Sequence, residues 1–270
     1  MTPARGLCGA RRAKLTGMDE PFLTAAWRHL LMLNWAVDPD LLTDRVPAGT
    51  HLDLPGGRCW VSVVAFLMQD TRVKGVPVPF HQDFEEVNLR FYVRRDSPDE
   101  VRGTADRRGV VFVRELVPKA AIAAVANAVY NENYRATEMD HVLLRPGGRV
   151  GPDDPLQTGD RLRMTWQAPG GPVEVAATIA GPAAALEPGS HGSFITEHYW
   201  GYAAQRDGGT VEYEVEHPPW DVHAVSDVTL VGAVGSEYGD DLGAAIARPP
   251  DSAFLAVGSE VCVMPGGRVP

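Results

Sequence analysis

The sequence has little lysine. Of 25 basic residues only Lys14, Lys74 and Lys119 are lysines, so arginine is the default cation and a lysine in an apolar setting stands out. Cysteine is also scarce. Cys8, Cys59 and Cys262 are odd in number, far apart and form no CxxC pair, which removes the usual zinc and dithiol signatures and fits a reduced, cytoplasmic protein. No run of about 18 apolar residues occurs, so no membrane-spanning helix is expected. Arg5, Arg11, Arg12 and Lys14 are not followed by the apolar core of a secretory signal. Residues 1–18 therefore read as a loose tail ahead of one domain, 19–270. There is no GxGxxG, P-loop or Gly-x-Ser-x-Gly, so neither nucleotide binding nor serine hydrolysis is supported. A net charge of −10 argues against a nucleic-acid partner and suits a neutral or cationic small ligand.

What is present is β pattern. With 44% hydrophobic and 22% charged residues the chain is ordinary globular material, long enough for one large β domain. Strands are expected over 27–37, 59–68, 85–95, 110–116, 161–167, 173–179, 193–205, 210–217 and 254–264, separated by glycine and proline turns. Two short helices are expected. One covers 38–47, with Asp38 as N-cap, Pro39 in the first turn and Pro47 as stop; the other covers 119–130, where Ile122, Val125 and Val129 recur at helical spacing. Many strands with few helices predict an antiparallel barrel or sandwich rather than a doubly wound sheet.

Within 84–93, Val87, Leu89, Phe91 and Val93 face one way and Glu86, Asn88, Arg90 and Tyr92 the other, so a polar face must meet water or a cavity. The glutamates at 212, 214 and 216 alternate against Tyr213 and Val215 and read as a solvated strand face. Glu132, with Asn131 and Asn133, closes the second helix as a cap or a ligand contact. Asn127 interrupts the apolar surface of that helix, facing a pocket or a neighbouring loop. His191, Glu197, His198, His217 and His223 gather toward the C-terminus; they match no metal signature and read as hydrogen-bonded histidines lining a cavity or edge.

Lys119 lies where a strand runs into an apolar helix, in Arg114-Glu115-Leu116-Val117-Pro118-Lys119. Burial and a helix N-terminus both favour the neutral amine that attacks carbonyls, chemistry closed to arginine. The plainer reading is a lysine snorkelling to water.

Residues 28–47, the strand 85–93 and the run 114–119 resemble, in order and spacing, three segments of the acetoacetate decarboxylases. The resemblance implies that Lys119 forms a Schiff base and that Arg28 holds a substrate carboxylate. Ala120 stands where those enzymes carry a second lysine, and their acids have no clear counterpart between residues 62 and 77. Glu85 or Glu86 would then move protons, and a related imine reaction replaces acetoacetate decarboxylation. A resemblance over nearly the whole chain, carried by Pro79-Phe80-His81-Gln82-Asp83-Phe84-Glu85-Glu86, Tyr130-Asn131-Glu132-Asn133-Tyr134 and His198-Tyr199-Trp200-Gly201-Tyr202 among others, is to the bacterial domain-of-unknown-function 2071 (YqjF-like) family. It implies the acetoacetate decarboxylase-like fold: mainly β, a closed antiparallel β-cone around a pocket, with a homo-oligomer as in the decarboxylases. The expected catalytic residues are Lys119, Glu85 and Glu86. The expected substrate contacts are Arg28, Glu115, Asn127, His198 and Tyr199, with no metal and no cofactor. The alternative to a carbonyl or keto-acid enzyme is a non-catalytic protein holding a small metabolite in the same cavity.

Overall fold

The computed structural model describes residues 20–79, 81–151 and 154–269. The tail 1–18 lies outside the described residues. The principal elements are β1 (Leu23–Val37), β2 (Cys59–Val73), β3 (Phe84–Arg95), β4 (Arg107–Val117), α1 (Ala120–Tyr130), β5 (Met139–Arg145), β6 (Arg161–Ala168), β7 (Gly171–Ile179), α2 (His191–Thr196), β8 (Trp200–Ala204), β9 (Thr210–Glu216), β10 (Val222–Gly232), α3 (Val234–Tyr238), α4 (Asp240–Ile246) and β11 (Ser252–Val263). The protein is mostly β with a few short helices. With five two- or three-residue strands these form a 16-stranded sheet, its long strands ordered β9-β8-β4-β3-β2-β1-β11-β10-β7-β6-β5. β9 also pairs with β11, through Val215 with Val263 and Glu216 with Cys262. The expected all-antiparallel pairing needs correction, because β8 and the short strand Tyr134–Ala136 each run parallel to β4.

Alternation holds where it was clearest. In β3, Val87, Leu89, Phe91 and Val93 enter one buried apolar cluster, while Glu86, Asn88 and Arg90 line a cavity on the opposite face. A period of two would keep every second residue of a strand on one face, but three irregularities change which residues reach that cavity. In β1 the register against β2 breaks between Arg28 and Leu31 at His29 (φ 56°), so Trp27 and Leu30 both face inward. Across from this bulge Gly258 (φ 86°) is obligatory, since a Cβ there would lie 2.0 Å from the Trp27 carbonyl oxygen. In β2, Asp70 (φ 49°) moves the lining from Val64, Phe66 and Met68 to Thr71 and Val73. Between β3 and β4 the register shifts after Leu89, which puts Phe112 and Glu115 on the same side.

Three sequence expectations fail locally. The helix over 38–47 is two 3-10 turns, Pro39–Leu41 and Thr43–Arg45, although Asp38 does cap the first by accepting the Asp40 N–H at 3.0 Å. The strand expected over 193–205 begins instead as α2, because Ser190 Oγ accepts the Ser193 N–H at 3.2 Å and starts a helix in a segment rich in β-branched and aromatic residues. α3 and α4 were missed because Gly235, Gly239 and Gly243 mask a helical pattern. Gly243 is a packing glycine, since a Cβ there would lie 2.3 Å from Gly235 Cα, and Gly239 (φ 86°) stands between the two helices in the left-handed region.

Nor are the glutamates of β9 a solvated face. Glu214 is 3% exposed and pairs with Arg102 at 2.9 Å, and Glu212 pairs with Arg95 and Arg107 at 3.0 and 2.6 Å. Among the described residues no helix is long and apolar enough to cross a membrane.

If Ser190 sets the start of α2, Ser190→Ala lowers unfolding stability by about 1 kcal/mol. The urea midpoint should fall with an unchanged slope.

Candidate functional site

The cavity has a volume of about 210 Å³. Its walls are chiefly apolar: Trp27, Leu30, Val64, Phe66, Phe84 and Phe112 come from the first four long strands, Ala121 and Ile122 from α1, Val215 from β9 and Val263 from β11. Into this setting project three carboxyl groups, Glu86, Glu115 and Glu132, with Asn88, Arg90, Tyr134 and Tyr213. The acids are 5%, 2% and 8% exposed.

Each is placed by a distinct local device. Glu86 follows strand alternation, Glu115 depends on the shifted register of β4, and Glu132 follows Asn131, which ends α1 in the left-handed conformation (φ 55°). Asn127 holds the next wall residue by both backbone groups: its Oδ1 accepts the Tyr134 N–H at 2.8 Å and its Nδ2 donates to the Tyr134 carbonyl at 2.9 Å.

Burial raises the pKa of all three acids. Glu86 is pushed up to about 7, with Asn88 Nδ2, 3.4 Å from its Oε1, opposing the shift. Glu132 goes up to about 8 through burial and the charge of Glu86, although Tyr213 donates to it at 2.8 Å. Glu115 lies well above the ordinary range because of burial and the charges of Glu132 and Glu86. Several polar atoms of the lining have no partner among the described residues: Trp27 Nε1, Thr71 Oγ1, Asn88 Oδ1, Arg90 Nε and Glu115 Oε2.

The predicted site residues divide. Glu86 and Glu115 line the cavity. Glu85, its side chain on the opposite face of β3, lines a second cavity of about 350 Å³ and meets His141 Nδ1 at 2.6 Å. Burial pushes Glu85 up, but the His141 hydrogen bond and the charges of His141 and Lys119 hold it below its usual value. Lys119 is the half-buried N-cap residue of α1, and it is not among the described lining of either cavity. Arg28 donates to Glu260 at 2.8 Å and is likewise outside the lining.

His198 is buried elsewhere, its Nε2 3.5 Å from Asp53 Oδ2, and burial takes its pKa down to about 4. Tyr199 packs on His217 with ring centroids 4.8 Å apart and carries the Arg102 guanidinium over its face at 4.0 Å. Among the described residues no three His, Cys, Asp or Glu side chains are grouped to hold a metal ion.

Arg90, Tyr134 and Tyr213 join the expected residues in the cavity wall. The polar face of β3 could have flagged Arg90; the tyrosines carry no local signal.

These shifts dictate a pH dependence. Glu86 and Glu132 bind protons more tightly in the folded protein than in the unfolded chain, so stability falls as pH rises from the ordinary value of 4.5 through about 7 and 8. Thermal unfolding followed from about pH 5 to 8 should show this decline, and Glu132→Gln, which cannot ionise, should flatten it.

The fold is similar to that of several solved enzymes. An acetoacetate decarboxylase-like enzyme from Sphingomonas wittichii RW1 superposes with a TM-score of 0.62 at 14% identity, covering 93% of this chain and 94% of that one. The enduracididine biosynthesis enzyme MppR complexed with pyruvate gives 0.60 at 15% identity, covering 95% and 94%. Acetoacetate decarboxylase from Legionella pneumophila gives 0.58 at 12% identity, covering 100% and 98%. At these identities the likeness establishes the fold. The uncharacterized protein YqjF of Bacillus subtilis is 37% identical over 68 residues, which span 25% of this chain and 28% of that protein. The model of the DUF2071 family, described as an uncharacterized conserved protein, matches residues 24–260, and the chain belongs to that family.

Proposed function

We propose that this chain is a small-molecule enzyme acting on a carbonyl compound held in the three-carboxyl cavity, with Glu86, Glu115 and Glu132 as its proton donors and acceptors. The proposal takes residues 19–270 as one domain and the β9–β11 pairing as the closure of a β-cone around the cavity. One observation carries it: three acids whose pKa values are raised by burial share an apolar space with unpartnered polar atoms in its wall. Perturbed acids in a cavity are the usual mark of acid–base chemistry, which works best when a group titrates near ambient pH. In the simplest step, one carboxylate takes a proton from the carbon beside the carbonyl while a neighbouring protonated carboxyl gives one to the carbonyl oxygen, producing an enol.

Lys119 supplies the covalent form of this proposal. Its amine would add to the carbonyl carbon and, with loss of water, give an iminium ion that acidifies the same carbon. The Arg-Glu-Leu-Val-Pro-Lys run and the nearness in sequence of the wall residues Ala121 and Ile122 support it. The position of Lys119 in the field of Glu85, outside the described cavity lining, favours the second reading: a protein that binds a small molecule without turning it over.

Solvent-deuterium exchange at the α-carbon of small ketones and keto acids, followed by NMR, separates these readings. The enzyme should catalyse exchange, and Glu86→Gln or Glu115→Gln should slow it about a hundredfold or more. Binding without exchange supports the non-catalytic reading. Borohydride treatment with whichever carbonyl compound undergoes exchange should leave a reduced adduct on Lys119 if the covalent form operates. Its absence, with exchange intact in Lys119→Arg, assigns the chemistry to the carboxyls alone.

A further inference from the structure

We infer that the cavity takes a small, largely apolar carbonyl compound bearing a protonated nitrogen, with that cationic head held by Glu115, Glu86 and Asn88, rather than an anionic keto acid. The inference rests on the enzyme reading above and specifies its substrate class.

Charge points to a cation, and the unpartnered acceptors of the wall agree with it, while the unpartnered donors Trp27 Nε1 and Arg90 Nε suit the carbonyl oxygen of the same compound. Several acids elsewhere on the chain meet arginine: Glu214 and Asp99 meet Arg102, Glu212 meets Arg95 and Arg107, and Glu260 meets Arg28. Among the described residues no arginine or lysine forms an ion pair with Glu86, Glu115 or Glu132. Arg90 is the one arginine or lysine in the described lining, and only part of it is engaged: its Nη2 donates to the Ile195 carbonyl at 3.0 Å and its guanidinium sits 5.6 Å from the Tyr92 ring centroid, while its Nε has no partner among the described residues.

Two oxygens in the wall add to this. Glu115 and Asn88 are 2% and 3% exposed, and Glu115 Oε2 and Asn88 Oδ1 have no partner among the described residues. A buried acceptor without a donor is costly, and an ammonium group offers three donors and no acceptor. A carboxylate would bring a fourth acid into a space where three already suppress one another's ionisation. A cation there would instead stabilise the ionised acids. The aromatic and aliphatic remainder of the wall suits an apolar body.

The test is calorimetric titration of the full chain near neutral pH with three probes sharing one apolar body: cyclohexylmethylamine, cyclohexylmethanol and cyclohexanecarboxylate. The amine should bind at least about tenfold more tightly than either of the others, and Glu115→Gln or Glu86→Gln should remove about that factor while leaving the alcohol unchanged. Tighter binding of the carboxylate would show that Arg90 Nε reads an anion and would overturn the inference, leaving the cavity reading intact. Equal or tighter binding of the alcohol would overturn it in the same way. Failure of all three to bind would sink the cavity reading together with the inference.

Discussion

Three carboxyl groups are confined in one desolvated space, and the organisation of the site follows from that confinement. Ionising all three would bury like charges side by side without water, so the group holds its protons instead and titrates upward. Tyr213 and Asn88 each satisfy one carboxyl oxygen without neutralising a charge. Desolvation and mutual repulsion therefore dominate over local hydrogen bonding, and Glu86 and Glu132 remain poised near neutrality while Glu115 is pushed well above the ordinary range.

The rest of the chain treats acids differently. Arginine, its prevailing cation, is deployed around the cavity against Glu212, Glu214, Glu260 and Glu237. Those pairs join β1 to β11, Arg95, Arg102 and Arg107 to β9, and the short strand Tyr134–Ala136 to α3, and they leave the cavity acids without an ionic partner among the described residues. Adjacent residues show the contrast most directly. Glu85 and Glu86 leave β3 on opposite faces; Glu85 finds His141 and the field of Lys119 and is held low, whereas Glu86 is buried among apolar walls and is pushed up to about 7. Two identical side chains acquire opposite acid–base character from the pleat alone.

Asn127 has a comparable indirect role. It was a candidate substrate contact, yet its amide is spent on both backbone groups of Tyr134. It thereby sets the wall in which that tyrosine stands. Arg28, drawn to Glu260, is likewise committed to a neighbour within the fold.

Periodicity read from the sequence located most of the long strands, though not Met139–Arg145 or Val222–Gly232, together with the polar face of β3 and helix α1, because strand and helix repeats are local properties of side-chain order. It also supported the mainly β architecture, and the quoted motifs carried the family. It did not place α2, where a single capping serine outweighs β-forming residues, nor α3 and α4, where Gly243 serves packing and Gly239 the turn between them. Above all it could not place Glu115, Glu132, Tyr134 and Tyr213 around one cavity. Bulges at His29 and Asp70 and the register shift in β4 reverse strand parity, and a left-handed Asn131 redirects the chain after α1. Such reversals depend on pairing between strands distant in sequence, so the sequence by itself determined which residues alternate, and only the tertiary structure decided which of them meet.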